Sequence, residues 1–228
     1  MTEPLVIAID GPAGAGKSTV AQMLARRLGL AYVDSGATYR AAALKVLESG
    51  ASLEDEEAIV RVVGSAEIRF IPRQPQPQVL LDGKDVTTAI RTAEVTQAAS
   101  RVSRLPAVRK KLIALQRSLL IEPGVVMEGR DIGTVVFPDA PLKIFLKADT
   151  AERARRRVQQ DQEQGRPATL DDTLSEISSR DQRDAQRQAS PLVPAEDADI
   201  LDSTDLSAEE VVERILELAR KKKLLPAP

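Results

Sequence analysis

The chain has 228 residues, enough for one domain with room for an insertion. Its 43% apolar and 29% charged residues are ordinary for a globular fold. Its net charge of −2 and five aromatics (Tyr32, Tyr39, Phe70, Phe137, Phe145) argue against a nucleic-acid binder, which needs a positive field or stacking platforms. Cys, His and Asn are absent, which excludes disulfides, thiolate and imidazole metal sites, and Ser-His or Cys-His triads.

Residues 5–9 (LVIAI) form a short apolar run between turn signals, which predicts a strand buried on both faces. A helix is predicted over 19–29, closed by Gly29, then a strand over 31–34 and a helix over 38–50, closed by Gly50. This alternation predicts an α/β fold with parallel strands. The rhythm breaks over 66–88, where EIRFIP, three prolines (Pro72, Pro75, Pro77) and QVLLDGKDVT predict a small antiparallel insertion turning at Asp82-Gly83. Helices follow over about 92–103 and 106–120, the second opened by Pro106. Residues 123–128 and 142–149 return to strand character.

A basic, polar helix is predicted over 150–165, started by a capping box of Asp149 and Glu152 and broken at Gly165-Arg166-Pro167. A second helix covers about 170–189, and 198–204 is the last strand. Ser207 and Glu210 cap a final helix that turns Val211, Val212, Ile215, Leu216 and Leu218 inward, and the lysines at 221–223 suit its C-terminal dipole. No signal peptide opens the chain, and no apolar stretch approaches the ~18 residues that span a bilayer, so a cytoplasmic protein without a membrane partner is expected.

The strongest motif is Gly11-Pro12-Ala13-Gly14-Ala15-Gly16-Lys17-Ser18, followed by Thr19. It fits G-x-x-x-x-G-K-[ST] and lies between a predicted strand and helix. Glycines let backbone N–H groups wrap a phosphate, Lys17 reaches the β- and γ-phosphates, and the Ser18 hydroxyl ligates Mg²⁺. A nucleoside triphosphate with magnesium is therefore the expected ligand. A chain without Asn cannot carry the Asn-Lys-x-Asp guanine motif, nor the catalytic-loop Asn of protein kinases. A kinase for a small molecule fits better. A phosphate acceptor is already ionised near neutral pH and needs charge neutralisation, not a base. Arginine supplies that with a fixed fork of donors, and the chain holds 22 Arg against 10 Lys. Arg40 follows the second strand, and Arg130-Asp131 follows a strand at the end where α/β sheets bind ligands. Arg153, Arg156 and Arg157 lie on the polar helix, and Arg180, Asp184 and Arg187 share one helix face. Solvated faces with weak surface pairs are the plainer reading of these last two groups.

Seven segments together are more specific: IDGPAGAGKST (9–19), VDSGATYR (33–40), IRTAEVTQAASRVSRLPAVR (90–109), EGRDIGTVVFPDAPLKIFL (128–146), RDQRDAQR (180–187), SPLVPAEDA (190–198) and LDST (201–204). In order and spacing they resemble bacterial cytidylate kinases over nearly the whole chain. The resemblance implies a single P-loop kinase domain over 1–228: a three-layer α/β/α fold with a five-stranded parallel sheet, a monophosphate-binding insert at about 63–105 and a helical lid at about 150–170. It implies MgATP and CMP or dCMP as substrates and ADP and CDP or dCDP as products; a monomer is expected. Ser35, Tyr39 and Arg40 are then expected at the acceptor, with Arg40 on its phosphate. Ser100, Arg109, Asp131 and Arg187 are expected around the cytosine, and Arg180 and Asp184 at the sugar. Arg130 is expected near the transferring phosphates, and Arg153 and Arg157 as lid arginines over ATP. A kinase for UMP, dTMP or shikimate, or a non-enzymatic nucleotide switch, would share the P-loop.

Overall fold

In a computed structural model, residues 3–226 are described except 74–76, 164, 166 and 188, so Pro75 and Arg166 lie outside the described residues. The strand β1 (Leu5–Asp10) is apolar on both faces because it is central in a five-stranded sheet. It pairs in parallel with β6 (Gly124–Gly129) on one side and β7 (Leu142–Lys147) on the other. β2 (Ala31–Asp34) lies outside β6, and β8 (Asp199–Asp202) lies outside β7, also parallel. The sheet order is β2-β6-β1-β7-β8. Alternating side chains serve two different layers, as the pleat requires. Ile7 and Ile9 pack with helices α1 (Lys17–Leu28) and α8 (Ala208–Lys221), while Val6 and Ala8 pack with Val125, Met127, Ile132 and Val136. This is the expected three-layer α/β/α arrangement.

The insertion is built on a third core. α2 (Ser35–Glu48), α3 (Glu56–Ser65), α4 (Ala93–Val102) and α5 (Pro106–Ser118) enclose it with the antiparallel strands β3 (Ile68–Ile71), β4 (Gln78–Leu81) and β5 (Lys84–Asp85). Asp82-Gly83 makes the two-residue hairpin loop, with both residues at positive φ (48° and 81°).

Several local expectations need correction. α1 and α2 begin at Lys17 and Ser35, earlier than the apolar pattern indicates, because the P-loop and the Asp34 cap start them. α3 was not predicted. Asp55 caps it, and it buries only Ile59 and Val63, so its apolar signal is short. The Asp149–Glu152 capping box does not form: the Asp149 N–H goes to Thr204 Oγ1, and the Glu152 carboxylate is taken by Arg155 and Arg156. The Ser207–Glu210 box forms in full. α6 (Thr150–Glu163) and α7 (Leu170–Ala185) pack chiefly against each other, and among described residues 150–187 only Ala154 and Ile177 are buried apolar side chains. No helix among the described residues is long and apolar enough to cross a membrane.

Candidate active site

A cleft of about 960 Å³ opens at the C-terminal ends of β1, β2 and β6, where open α/β sheets place their ligands. Its floor is the loop between β1 and α1. Gly14 in that loop has φ +77°, and a Cβ there would stand 2.9 Å from both the Cβ and the carbonyl oxygen of Arg153, so only glycine fits. The loop leads directly into α1, whose N-terminus supplies unpaired N–H groups and positive potential.

Lys17 is buried at the first position of α1, and its Nζ donates to the Pro12 carbonyl at 2.6 Å. Burial, then the nearby Arg130, pushes its ammonium down to about 7, with Glu128 and Asp10 opposing. Glu128, one residue before the end of β6, lies beside Ser18 and Lys17, held by the Tyr32 hydroxyl, which donates at 2.7 Å. Burial, then Asp34, raises the Glu128 carboxyl above the usual range. No group of three or more carboxylates among the described residues could hold a metal by itself. Ser18 with Glu128 behind it instead suits Mg²⁺ carried by phosphate oxygens, which needs only one or two protein groups.

The far wall carries the arginines. Arg40 on α2 pairs with Asp34 at 2.6 Å; burial pushes the Asp34 carboxyl up, but Arg40, with Arg91 and the Ala37 N–H, holds it below its ordinary value. Arg109 on α5 pairs with Asp131 with both side chains buried, donates to the Ser103 carbonyl, and lies over the Tyr39 ring at 5.4 Å. Arg130, past the end of β6, donates through Nε to Asp184 at 3.0 Å. Arg187 Nε lies 3.9 Å from the same carboxylate. Arg180 has no ion pair among the described residues, and burial, then Arg130, lowers its guanidinium to about 10. Arg40 Nε and Arg187 Nη2 are buried without a hydrogen-bond partner among the described residues.

The structure brings together Lys17, Ser18, Ser35, Tyr39, Arg40, Ser100, Arg109, Arg130, Asp131, Arg157, Arg180, Asp184 and Arg187 on one cleft. Arg180 and Asp184 share a helix face as expected, yet the carboxylate is oriented by Arg130 from just past the end of β6. The two lid arginines differ. Arg157 lines the cleft and pairs with Asp161 at 3.0 Å. Arg153 is turned under the P-loop, donating to Ala13 O at 2.9 Å, Ala148 O at 3.0 Å and Asp181 at 2.6 Å. Arg156, grouped with these on the polar helix but given no role by the resemblance, lines the cleft and donates to the Ser203 and Thr204 carbonyls. Glu128, Asp10 and Arg183 were not found by sequence reasoning. For the first two, the signal is an acid at or one residue before the end of a buried apolar strand. For Arg183, which donates to Ser100 from an exposed helix position, there is none.

The family model described as cytidylate kinase matches residues 7–221. The cytidylate kinase of Azotobacter vinelandii is 52% identical over 216 residues, covering 93% of this chain and 94% of that protein. Those of Klebsiella pneumoniae and Saccharophagus degradans are 49% and 48% identical, over 95% and 96% of this chain and 96% and 99% of theirs. A phosphate-cradling loop facing a wall of arginines, within a match that runs almost end to end, leaves one conclusion: the chain belongs to the cytidylate kinase family.

Proposed function

We propose that this chain transfers the γ-phosphoryl group of ATP, bound as its magnesium complex, to CMP and dCMP, giving ADP and CDP or dCDP. The observation that carries this reading is the convergence of Arg40, Arg109, Arg130, Arg180 and Arg187 on the cleft that the P-loop enters. Arg180 is depressed by burial and like charge, and two guanidinium nitrogens are buried and unpaired. Such a cluster is unfavourable until an anion fills it, and two phosphate-bearing substrates do so.

In this reading an oxygen of the acceptor phosphate forms the new bond to the γ-phosphorus as the bond from that phosphorus to the β–γ bridging oxygen breaks. The electron pair leaves on ADP. The acceptor phosphate is already ionised, so no general base is needed, which suits a cleft without His. Lys17 and the backbone of residues 13–19 hold the donor phosphates. Magnesium, held by phosphate oxygens and Ser18, would spread the charge on the β- and γ-phosphates. Arg40 takes the acceptor phosphate, and Arg130 lies beside Lys17, where the two phosphates meet. Asp131, fixed by Arg109, accepts from the cytosine amino group with Ser100 and Arg187 around the ring. Arg180 and Asp184 hold the pentose, and Ser35 and Tyr39 complete the wall.

The hairpin of α6 and α7 acts as the lid, since it buries little apolar area of its own and local opening costs little there. Arg157 already faces the cleft. Arg153 would reach ATP only by leaving Ala13 and Asp181, so closure has to exchange those bonds. A coupled assay of ADP release against CMP, dCMP, UMP, dTMP and shikimate tests the whole. CMP and dCMP should dominate. Nucleotide binding without acceptor-dependent turnover, or a preference for another acceptor, would overturn it.

A further inference from the structure

Asp10 ends the central strand, one residue before the P-loop, and nothing in the transfer chemistry uses it directly. Its carboxylate is buried and has no ion pair among the described residues. Oδ1 accepts the Ile132 N–H and Oδ2 accepts the Gly133 N–H, each at 2.8 Å. These two amides open the short π-helical turn Ile132–Val136. The residue that would ordinarily cap that turn is Asp131, yet its side chain makes no capping bond. It is committed to Arg109 instead. Asp10 therefore supplies from another strand the cap that Asp131 does not, which leaves the Asp131 carboxylate available to the cleft.

The sheet register strengthens the argument. Asp10 lies opposite Gly129, the last residue of β6. The sheet thus fixes the chain at Gly129, and the Asp10 carboxylate fixes it again at Ile132 and Gly133. Between those two anchors lie only Arg130 and Asp131, with Asp131 in an irregular conformation (φ −149°, ψ 28°). A buried carboxylate without an ion pair is costly, and burial lifts its pKa to about 6 against the pull of the two amides and of Lys17. A neutral side chain would cost less at this place if the strand end had only to be filled.

We propose that Asp10 is a positioning residue that holds the Arg130–Asp131 segment in register with the P-loop, and through it sets recognition of the acceptor base. The inference rests on the reading of Asp131 as the group that contacts the cytosine, so its test carries Asp131→Asn as a reference.

Asp10→Asn keeps the shape but turns an amide NH₂ toward a backbone N–H. For Asp10→Asn, kcat/KM with CMP should fall about 10-fold or more, the loss of one hydrogen bond to a charged group. The CMP:UMP ratio should narrow about 5-fold or more, while MgADP affinity, read by fluorescent nucleotide binding without acceptor, should change less than about 3-fold. A role in folding alone would lower the melting temperature and leave the ratio alone. If Asp131→Asn leaves the CMP:UMP ratio unchanged, the base reading itself fails. If Asp131→Asn narrows the ratio and Asp10→Asn does not, the positioning role is overturned. Should Asp10→Asn not fold, hydrogen exchange on the unaltered protein decides: the Ile132 and Gly133 amides should exchange as slowly as those of β6, and exchange at the rate of an open loop would overturn the proposal.

Discussion

Lys17 offers a direct test of the electrostatic description of the cleft. Burial and Arg130 bring its ammonium down from 10.5 to about 7 in the free protein. A bound nucleotide polyphosphate, ATP or ADP, places several negative charges against it and should restore the ordinary, fully protonated state. At pH 8 a group with pKa 7 is about nine-tenths neutral, so nucleotide binding should take up about 0.9 proton there. Uptake should be about 0.5 at pH 7 and about 0.1 at pH 6 from this group. Asp10, near 6, adds its own change only at the acid end, which makes pH 7.5–8.5 the informative window. The assay is titration calorimetry of MgADP in buffers of different ionisation enthalpy, whose slope gives the protons exchanged. Lys17→Arg keeps a charge at every pH and should abolish the uptake. Stability carries the matching sign. Between pH 7 and 10.5 the unfolded chain binds more protons at Lys17 than the folded one, so this group makes the free protein more stable as pH rises through that range. Below pH 7 its full penalty applies. Uptake near zero at pH 8, or equal uptake in Lys17→Arg, would refute the description.

Three further substitutions probe the other half of the cleft and its floor. Asp131→Asn leaves an acceptor for Arg109, so the fold should survive, while CMP turnover falls and the CMP:UMP ratio narrows by roughly 10-fold, as suits a charged hydrogen bond of about 1.5–3 kcal/mol; parallel kinetics with the two acceptors read this. Asp184→Ala should raise the acceptor KM with little effect on that of ATP. Because Arg130 loses its 3.0 Å partner, kcat should fall as well, and CMP should suffer more than dCMP if the carboxylate meets the 2′-hydroxyl. Gly14→Ala forces a Cβ to 2.9 Å from Arg153 at a positive φ, so nucleotide affinity should drop roughly 10-fold or more and melting should fall, the strain being about 1–3 kcal/mol. Unchanged nucleotide binding in Gly14→Ala would mean that the loop does not hold the phosphates as described.

Much of the fold was legible because its signals are local. β1, β6 and β7 are short apolar runs that end at turn residues, and these are the strands with neighbours on both sides. α8 announces itself through a complete capping box and a regular apolar face. The P-loop is legible for a different reason: each of its residues answers a backbone or phosphate requirement at a fixed offset. Where capping residues compete for partners, local reading fails. Asp149 and Glu152 have the right spacing for a box, yet Thr204 lies close enough to take the Asp149 N–H, and two arginines on the next turn take Glu152. α3 hides because a helix lying on the surface of the insert needs only two buried positions.

The arginines show where spacing stops being informative. Arg153, Arg156 and Arg157 fall within five residues of one helix, and nothing in their order says which one meets the ligand. Contacts from distant chain segments decide it. Ala13 and Asp181 draw Arg153 beneath the loop, Ser203 and Thr204 draw Arg156 to the edge, and Arg157 is left half-exposed over the cleft. The same holds for Asp184. Four residues from Arg180 and three from Arg187, it has helix partners available, but Arg130 arrives from the end of β6 and takes the closest position. Arg180 is thereby left without an ion pair among the described residues, lowered by burial and Arg130 and only partly offset by Asp184. Helical periodicity brought these side chains to one face, and the sheet decided which pairs close and which charge waits for substrate.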